Sequence, residues 1–415
     1  MQGMRHSSEP PAKIQPLAKC GAIVATLCLL AACEATPPKK PPPAAAITPP
    51  PAPAPTPVKP VVPASGAILK PTSWEEVPDW RAHDMTSAWS AFIAGCNVLA
   101  NRDAWRSVCT LAAQSGKPDR DGVRRFFEAH FVPHQVVAPD GAREGLITGY
   151  YEPLLRGSRH ATERYRHPVY TVPDDLLIVD LGDVYPELKG KQLRGRLEGR
   201  RVVSYHDRAG IESGKAAVKG REIAWLEDPI ELFFLQIQGS GRIELEDGTT
   251  MRIGYADQNG HPYRSIGRWL VERGELTLDK ASMQGIKAWA RQNPGRVTEL
   301  LHQNARYIFF RELPPDLPGP LGALGVPLTA QRSLAVDPQY VPLGAPVYIA
   351  TTWPHSTKPL NRLMLAQDTG SAIRGAIRSD FYWGSGADAG REAGRMKQPL
   401  RMWVMLPHGY PLSHE

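Results

Sequence analysis

The most restrictive stretch of this chain is its last portion, about 95 residues following the run Pro314-Pro315-Asp316-Leu317-Pro318-Gly319-Pro320. It consists of short apolar runs cut repeatedly by glycine and proline. Proline removes a backbone donor and glycine marks turns, so each run has the length of a strand. Short strands punctuated in this way fold as a barrel or a sandwich. The segment is expected to need further strands to complete its core, and the apolar stretch Gly145–Tyr151, far upstream, is the candidate to supply them. What lies between the two is then an insertion.

Three aspartates interrupt the apolar pattern: Leu334-Ala335-Val336-Asp337-Pro338, Leu365-Ala366-Gln367-Asp368-Thr369-Gly370 and Arg378-Ser379-Asp380-Phe381-Tyr382-Trp383-Gly384. An ionised carboxylate is costly to desolvate unless it is paired or hydrogen-bonded, so burial raises its pKa. A raised pKa is what a general acid needs near neutrality. Asp380 precedes three aromatic residues that would desolvate it. Plainer readings stand beside these. Asp-Thr-Gly is also a turn signal in which the carboxylate takes backbone amides, and Asp337-Pro338 begins a turn.

Periodicity supplies the other elements. Asp84–Ala113 reads as two helices broken near Asn101-Arg102-Asp103, and Arg120–Phe131 as a third. Strands are expected at Pro168–Val172, Arg200–Val203 and Phe233–Ile237, and a hairpin joins Arg242–Leu245 to Met251–Tyr255. Helices return at Ser265–Arg273, Asp279–Gln292 and Arg296–His302.

The first residues bear on the compartment. Arg5, Lys13 and Lys19 lead into Gly21–Ala32, an apolar run of about twelve residues; a membrane span needs roughly twenty, whereas a signal-peptide core does not. The run ends Leu30-Ala31-Ala32-Cys33, which resembles the bacterial lipoprotein signal, cleaved to leave a lipidated Cys33. An ordinary signal peptide with an incidental cysteine is the alternative. Pro37–Pro63 is dominated by Pro, Ala, Lys and Thr, a composition that makes an extended spacer and no core. Glu34, rather than Asp, follows the cysteine and by analogy with lipoprotein sorting favours the outer membrane.

About 350 residues remain beyond the spacer, more than one core usually supports, so two domains are expected. Cys96 and Cys109 are the cysteines of this body, a disulfide in an oxidising periplasm or two buried thiols, and too sparse for a zinc site. The formal charge is +7, of which Arg5, Lys13 and Lys19 less Glu9 supply two units. So mild an excess suits an acidic polymer or an ordinary solvated surface. No Lys/Arg block with interleaved aromatics suggests nucleic acid.

Five separated motifs occur in order: Thr148-Gly149-Tyr150-Tyr151-Glu152-Pro153; Phe233-Phe234-Leu235-Gln236-Ile237-Gln238-Gly239-Ser240-Gly241; Gly254-Tyr255 with Asn259-Gly260-His261-Pro262-Tyr263; Asn304-Ala305-Arg306-Tyr307-Ile308-Phe309-Phe310; and the aspartate cluster. Together, from about Pro71 to Pro407, they resemble the membrane-bound lytic murein transglycosylase A family. The resemblance implies a mainly β fold with peripheral helices, in which a double-psi β-barrel domain is interrupted by a second β-rich domain and a glycan groove lies between them. The corresponding layout is a signal peptide at 1–33, a tether at 34–66, helices and the first part of the barrel at 67–165, the insert at 166–315, and the rest of the barrel at 316–415. Implied too are cleavage of the β-1,4 bond between N-acetylmuramic acid and N-acetylglucosamine in peptidoglycan, 1,6-anhydromuramoyl ends, and no cofactor or metal. Matched motif to motif, the catalytic acid falls on Asp380, with Asp368 and Asp337 as the aspartates around it. The implied partners are peptidoglycan glycan strands and, through the N-terminal lipid, the outer membrane. Other cell-wall enzymes are compatible partners, although no segment identifies one.

The chemistry needs one proton carrier. A single carboxyl group protonates the leaving oxygen and then takes the proton of the sugar's own 6-hydroxyl as that oxygen attacks the anomeric carbon. If Phe233–Ile237 is a strand, Phe234, Gln236 and Gln238 share one face, and Gln236, Gln238, Ser240 and Arg242 line the groove. Gly239-Ser240-Gly241 is equally a tight turn. Tyr150, Tyr151 and Trp383 are candidate sugar contacts, with core packing as the alternative for the tyrosines. Two rival functions remain at this point: a hydrolase whose second carboxylate activates water, and a non-catalytic, lipid-anchored murein-binding protein.

Overall fold

The computed structural model describes residues 68–188 and 191–412. The expected signal peptide, Cys33 and the spacer lie outside the described residues. The described chain begins with β1 (Leu69–Pro71) and three helices, α1 (Thr86–Leu99), α2 (Asp103–Gln114) and α3 (Arg120–His130). The break between the first two falls where Asn101 and Arg102 predicted it. In α3 the carboxylate of Asp119 accepts the Gly122 amide at 2.7 Å, satisfying a donor that the first turn leaves open. A disulfide joins Cys96 of α1 to Cys109 of α2. The chain then forms β2 (Phe131–Val136) and β3 (Gly145–Glu152).

The insert follows: β4 (Leu154–Ser158), β5 (His167–Tyr170), β6 (Leu177–Val179), β7 (Leu193–Glu198), β8 (Arg201–Ser204), α4 (Arg208–Glu212), β9 (Glu222–Leu226), α5 (Pro229–Gln238), β10 (Ser240–Leu245), β11 (Thr250–Gln258), α6 (Ile266–Glu272), α7 (Met283–Gln292), α8 (Val297–His302) and β12 (Ile308–Leu313). Six of its strands form one sheet in the order β12-β11-β10-β4-β9-β5, and β6-β7-β8 form a smaller one.

The expected strand at Phe233–Ile237 is instead the body of α5. Asp228 caps this helix, Pro229 opens it, and Gly239 ends it in the left-handed region at φ 78°. The segment has Ile230, Leu232, Phe233, Phe234, Leu235 and Gln236 all buried, so it shows no apolar stripe from which a helical period could be read. The start and stop residues were the informative signal.

The chain returns as β13 (Ser333–Val336), β14 (Pro346–Thr352), β15 (Pro359–Asp368), β16 (Arg378–Ser385), α9 (Gly386–Arg395) and β17 (Lys397–Pro407). The 11-residue β17 closes a barrel. Its Lys397–Leu400 pairs with β3, its Arg401–Val404 with β14, and its Trp403–Pro407 with β2. The ring runs β3-β16-β13-β15-β14-β17 and back to β3, which leaves no open edge among these strands. The β13–β15 and β16–β3 pairings are parallel, the others antiparallel. The fold is thus mainly β with peripheral helices, and the upstream stretch at Gly145 does complete the C-terminal strands. Its core joins Val336, Leu365, Phe381 and Trp403 of the barrel to Phe92, Trp105 and Phe127 of the helices.

One element of the C-terminal segment departs from the all-β expectation. Helix α9 buries only Ala389, Gly390 and Ala393, a face of small residues that carries little of the usual apolar signature.

Candidate active site

The two carboxyl groups meet through strand register. Ala335 of β13 lies opposite Asp368 of β15 on one side and Asp380 of β16 on the other, and an irregularity between Leu334 and Ala335 brings Asp368 to that position. On the far side of Asp380 stands Thr148 of β3. Alternate residues of a strand face the same way, so Thr148 and Tyr150 project together, and each hydroxyl meets one aspartate. Thr148 Oγ1 donates to Asp380 Oδ1 at 2.7 Å, and Tyr150 Oη donates to Asp368 Oδ2 at 2.9 Å. Gly149 between them faces α9. A Cβ there would lie 2.7 Å from Trp383 Nε1 and 2.8 Å from Ala393 Cα, so only hydrogen fits.

Both carboxyl groups are held in packed protein yet remain partly exposed. Burial pushes Asp368 up to about 6 against the pull of the Thr369 and Ala323 amides, at 2.9 and 3.0 Å, and of Tyr150. Burial likewise pushes Asp380 up to about 6; the Thr148 hydroxyl and the Arg378 guanidinium pull it down, and the charge of Asp368 pushes it up. Arg378 Nη2 donates to Thr148 Oγ1 at 2.9 Å. Arg378, Thr148 and Asp380 therefore form a directed chain: the guanidinium occupies the hydroxyl's lone pair and turns its proton toward Asp380. Tyr150, Leu328, Ala335, Ile373 and Tyr382 make a small apolar cluster around the pair, with the Tyr150 and Tyr382 rings 5.2 Å apart. For both acids, desolvation by such neighbours outweighs the hydrogen bonds that favour the ionised form.

The other site candidates are dispersed. Asp337 is 2% exposed; Oδ1 accepts the Gln339 amide at 3.1 Å and Oδ2 the Gly375 amide at 2.8 Å. It clasps its own turn to the Gly375 loop, and among the described residues no hydrogen bond joins it to Asp368 or Asp380. These bonds are the ones its turn reading expects. Trp383 does not face the carboxyl groups. Period two in β16 sends it, like Phe381, to the opposite side from Asp380, where it packs on Phe381 at 4.7 Å and Trp353 at 5.6 Å. Gln236, assigned above to a groove strand, is buried in α5 and accepts a hydrogen bond from the buried Arg208. Gln238 accepts the Tyr151 amide at 3.0 Å and so clasps α5 to β3. Tyr151 fills the core against Gly390. Tyr150 positions Asp368 and, 9% exposed, has little ring surface to offer a sugar. Ser240 opens β10 and is partly exposed. Arg242 is tied to Glu152 at 2.8 Å.

Thr148, Arg378 and Glu152 carry no role that the sequence alone assigns. Thr148 stands in one of the five motifs, but its partner lies 232 residues away, a distance no local pattern bridges. Among the described residues no group of three or more His, Cys, Asp or Glu side chains could hold a metal ion.

A small closed barrel that carries two aspartates raised by burial, beside a second β-rich domain, is the arrangement of a two-domain enzyme. Residues 146–311 match the family description "MltA specific insert domain", and residues 332–406 match the 3D domain. Membrane-bound lytic murein transglycosylase A of Escherichia coli strain K12 is 32% identical over 278 residues, 65% of this chain and 68% of the relative. The crystal structure of MltA from Neisseria gonorrhoeae shares 42% identity at a TM-score of 0.73, covering 88% of this chain and 100% of that one. E. coli MltA with bound chitohexaose shares 26% identity at a TM-score of 0.60, covering 81% of this chain and 92% of that one. The chain belongs to the MltA family of lytic murein transglycosylases.

Proposed function

We propose that this enzyme cleaves the β-1,4 bond between N-acetylmuramic acid and N-acetylglucosamine in peptidoglycan, with Asp380 as sole proton carrier. The observation that carries the reading is the raised Asp380 carboxyl, fixed by Thr148 and flanked by Asp368. The names of the relatives and the chitohexaose held by one of them support the substrate class.

The groups divide the labour as follows. Thr148 donates to Oδ1 of Asp380, so the acid's own proton rests on Oδ2, free to meet the leaving oxygen. Proton transfer breaks the bond between the anomeric carbon and that oxygen. The carboxylate so formed is stabilised by Thr148 and Arg378 and next takes the proton of the muramoyl 6-hydroxyl. Its oxygen bonds to the anomeric carbon, and the acid is regenerated without consuming water. Asp368, with three donors, is the better satisfied carboxylate of the pair. Its charge holds the proton on Asp380 and opposes the positive charge developing at the anomeric carbon.

The domain layout given in the sequence analysis belongs to this proposal, as does anchoring to the outer membrane through a lipid on Cys33. Relatives are named membrane-bound, and among the described residues no helix is long and apolar enough to cross a membrane. Purified sacculi are the test substrate. The wild-type protein releases anhydromuropeptides and Asp380→Asn releases none, while circular dichroism and glycan binding stay those of the wild type. Retained activity in Asp380→Asn contradicts the assignment.

A further inference from the structure

Where the insert meets the barrel, a cavity of about 290 Å³ is lined by Arg242 and Arg252 on one wall and by Ser385 and Gly386 on another. Arg242 and Arg252 stand directly opposite each other across the β10–β11 hairpin. Like charges so placed repel, and a carboxylate between them is the usual remedy. Glu152, 0% exposed, supplies one: Oε2 lies 2.8 Å from Arg242 Nε and Oε1 3.3 Å from Arg252 Nε. One carboxylate for two guanidiniums leaves one positive charge over.

The two arginines are not equivalent. Arg252 is 6% exposed, and its Nη1 is taken by the carbonyls of Leu317 and Gly319, so it is fixed in place. Arg242 is about a third exposed, and among the described residues its partner is Glu152, reached through Nε alone. The outer edge of its guanidinium is therefore open to the cavity. The facing wall begins α9, whose preceding Ser385 makes no side-chain cap and whose first turn carries Asp388, paired with Arg391 of the same helix. The site adjoins the acid pair. Glu152 lies in register with Ser385, two residues beyond Tyr150 on β3 and five beyond Asp380 on β16, roughly 10–15 Å from the acids at about 3.3 Å per residue.

We propose that this cavity is a carboxylate-binding subsite that holds a free carboxylate of the peptide stem carried by a muramoyl residue. The inference rests on the peptidoglycan reading above. The glycan backbone is neutral, and the anions that peptidoglycan brings near a scissile bond are the carboxylates of its stems. A planar guanidinium with a free edge is the side chain that pairs with them.

The test compares kcat/KM for glycan strands that bear peptide stems with kcat/KM for strands stripped of stems by an amidase and then converted to amides at the lactyl carboxylates that this cleavage exposes. Arg242→Gln is expected to lower the rate on stem-bearing strands about tenfold more than on stripped strands. Arg242→Lys, which keeps the charge, recovers part of that difference, and added salt shrinks the preference of the wild type. Affinity of stem-bearing and stripped strands for the Asp380→Asn protein reads the same discrimination without turnover. Equal losses on both substrates would make the arginine a structural clasp between the domains and overturn the proposal, as would no loss on either. Wild-type protein that releases no anhydro product from either substrate would overturn the function itself, and that outcome is distinct from a missing preference.

Discussion

The link between Thr148 and Asp380 makes a quantitative prediction. Thr148→Val keeps the shape of the side chain and removes the donor to Asp380 Oδ1. A hydrogen bond to a charged group contributes about 1.5–3 kcal/mol, here in favour of the carboxylate, and 1.36 kcal/mol corresponds to one pKa unit. Deleting it moves Asp380 upward by about one to two units from its present value of about 6. The acid must be protonated before reaction, so kcat/KM falls as pH rises through that pKa. The alkaline limb of the pH profile therefore shifts upward by about one to two pH units. The maximum rate falls, because the acid is weaker and its proton no longer directed. The assay is release of anhydromuramoyl ends from glycan strands across neutrality, with circular dichroism to verify folding. Thr148→Ser retains the hydroxyl and keeps the limb near that of the wild type. A lower rate with an unmoved limb would refute the claim that Thr148 sets the protonation of Asp380.

Two further outcomes follow from the same geometry. Asp380 is raised from an ordinary 3.8 to about 6, so between those values the folded protein holds a proton that the unfolded chain releases. Its ionisation therefore lowers stability as pH rises through that window, and Asp380→Asn should gain about 1 kcal/mol relative to wild type above it but not below, allowing for partial exposure; calorimetry showing the same difference at both ends would count against this burial account. Gly149→Ala places a methyl against Trp383 and the backbone of Ala393, so it should cost about 1–3 kcal/mol in urea unfolding, and an unchanged midpoint would mean that α9 yields freely.

The barrel was legible because its runs have strand length and its turns are marked, and Gly145–Tyr151 reads as one more such run. Two helices escaped that reading for opposite reasons. The apolar surface of α5 surrounds it, whereas α9 has almost none, and a period needs contrast to be seen. Asp228-Pro229 and Gly239 were nevertheless visible as start and stop signals. Within the site, the aspartates were identifiable as costly carboxylates, but only register shows that Asp368 and Asp380 flank Ala335 while Asp337 serves its own turn. Strand alternation, applied to β16, already separates Trp383 from Asp380. The contributions of Thr148, Arg378 and the Glu152 pair depend on distant segments brought together, which one sequence does not display.

The central claim is that the sugar's own hydroxyl replaces water in the second half of the reaction. Digestion of purified glycan strands in water enriched with heavy oxygen tests this directly by mass spectrometry of the new muramoyl ends. The account predicts ends one water lighter than a hydrolysis product, with no heavy oxygen incorporated. Reducing ends that each carry one heavy oxygen would show a hydrolase and contradict it.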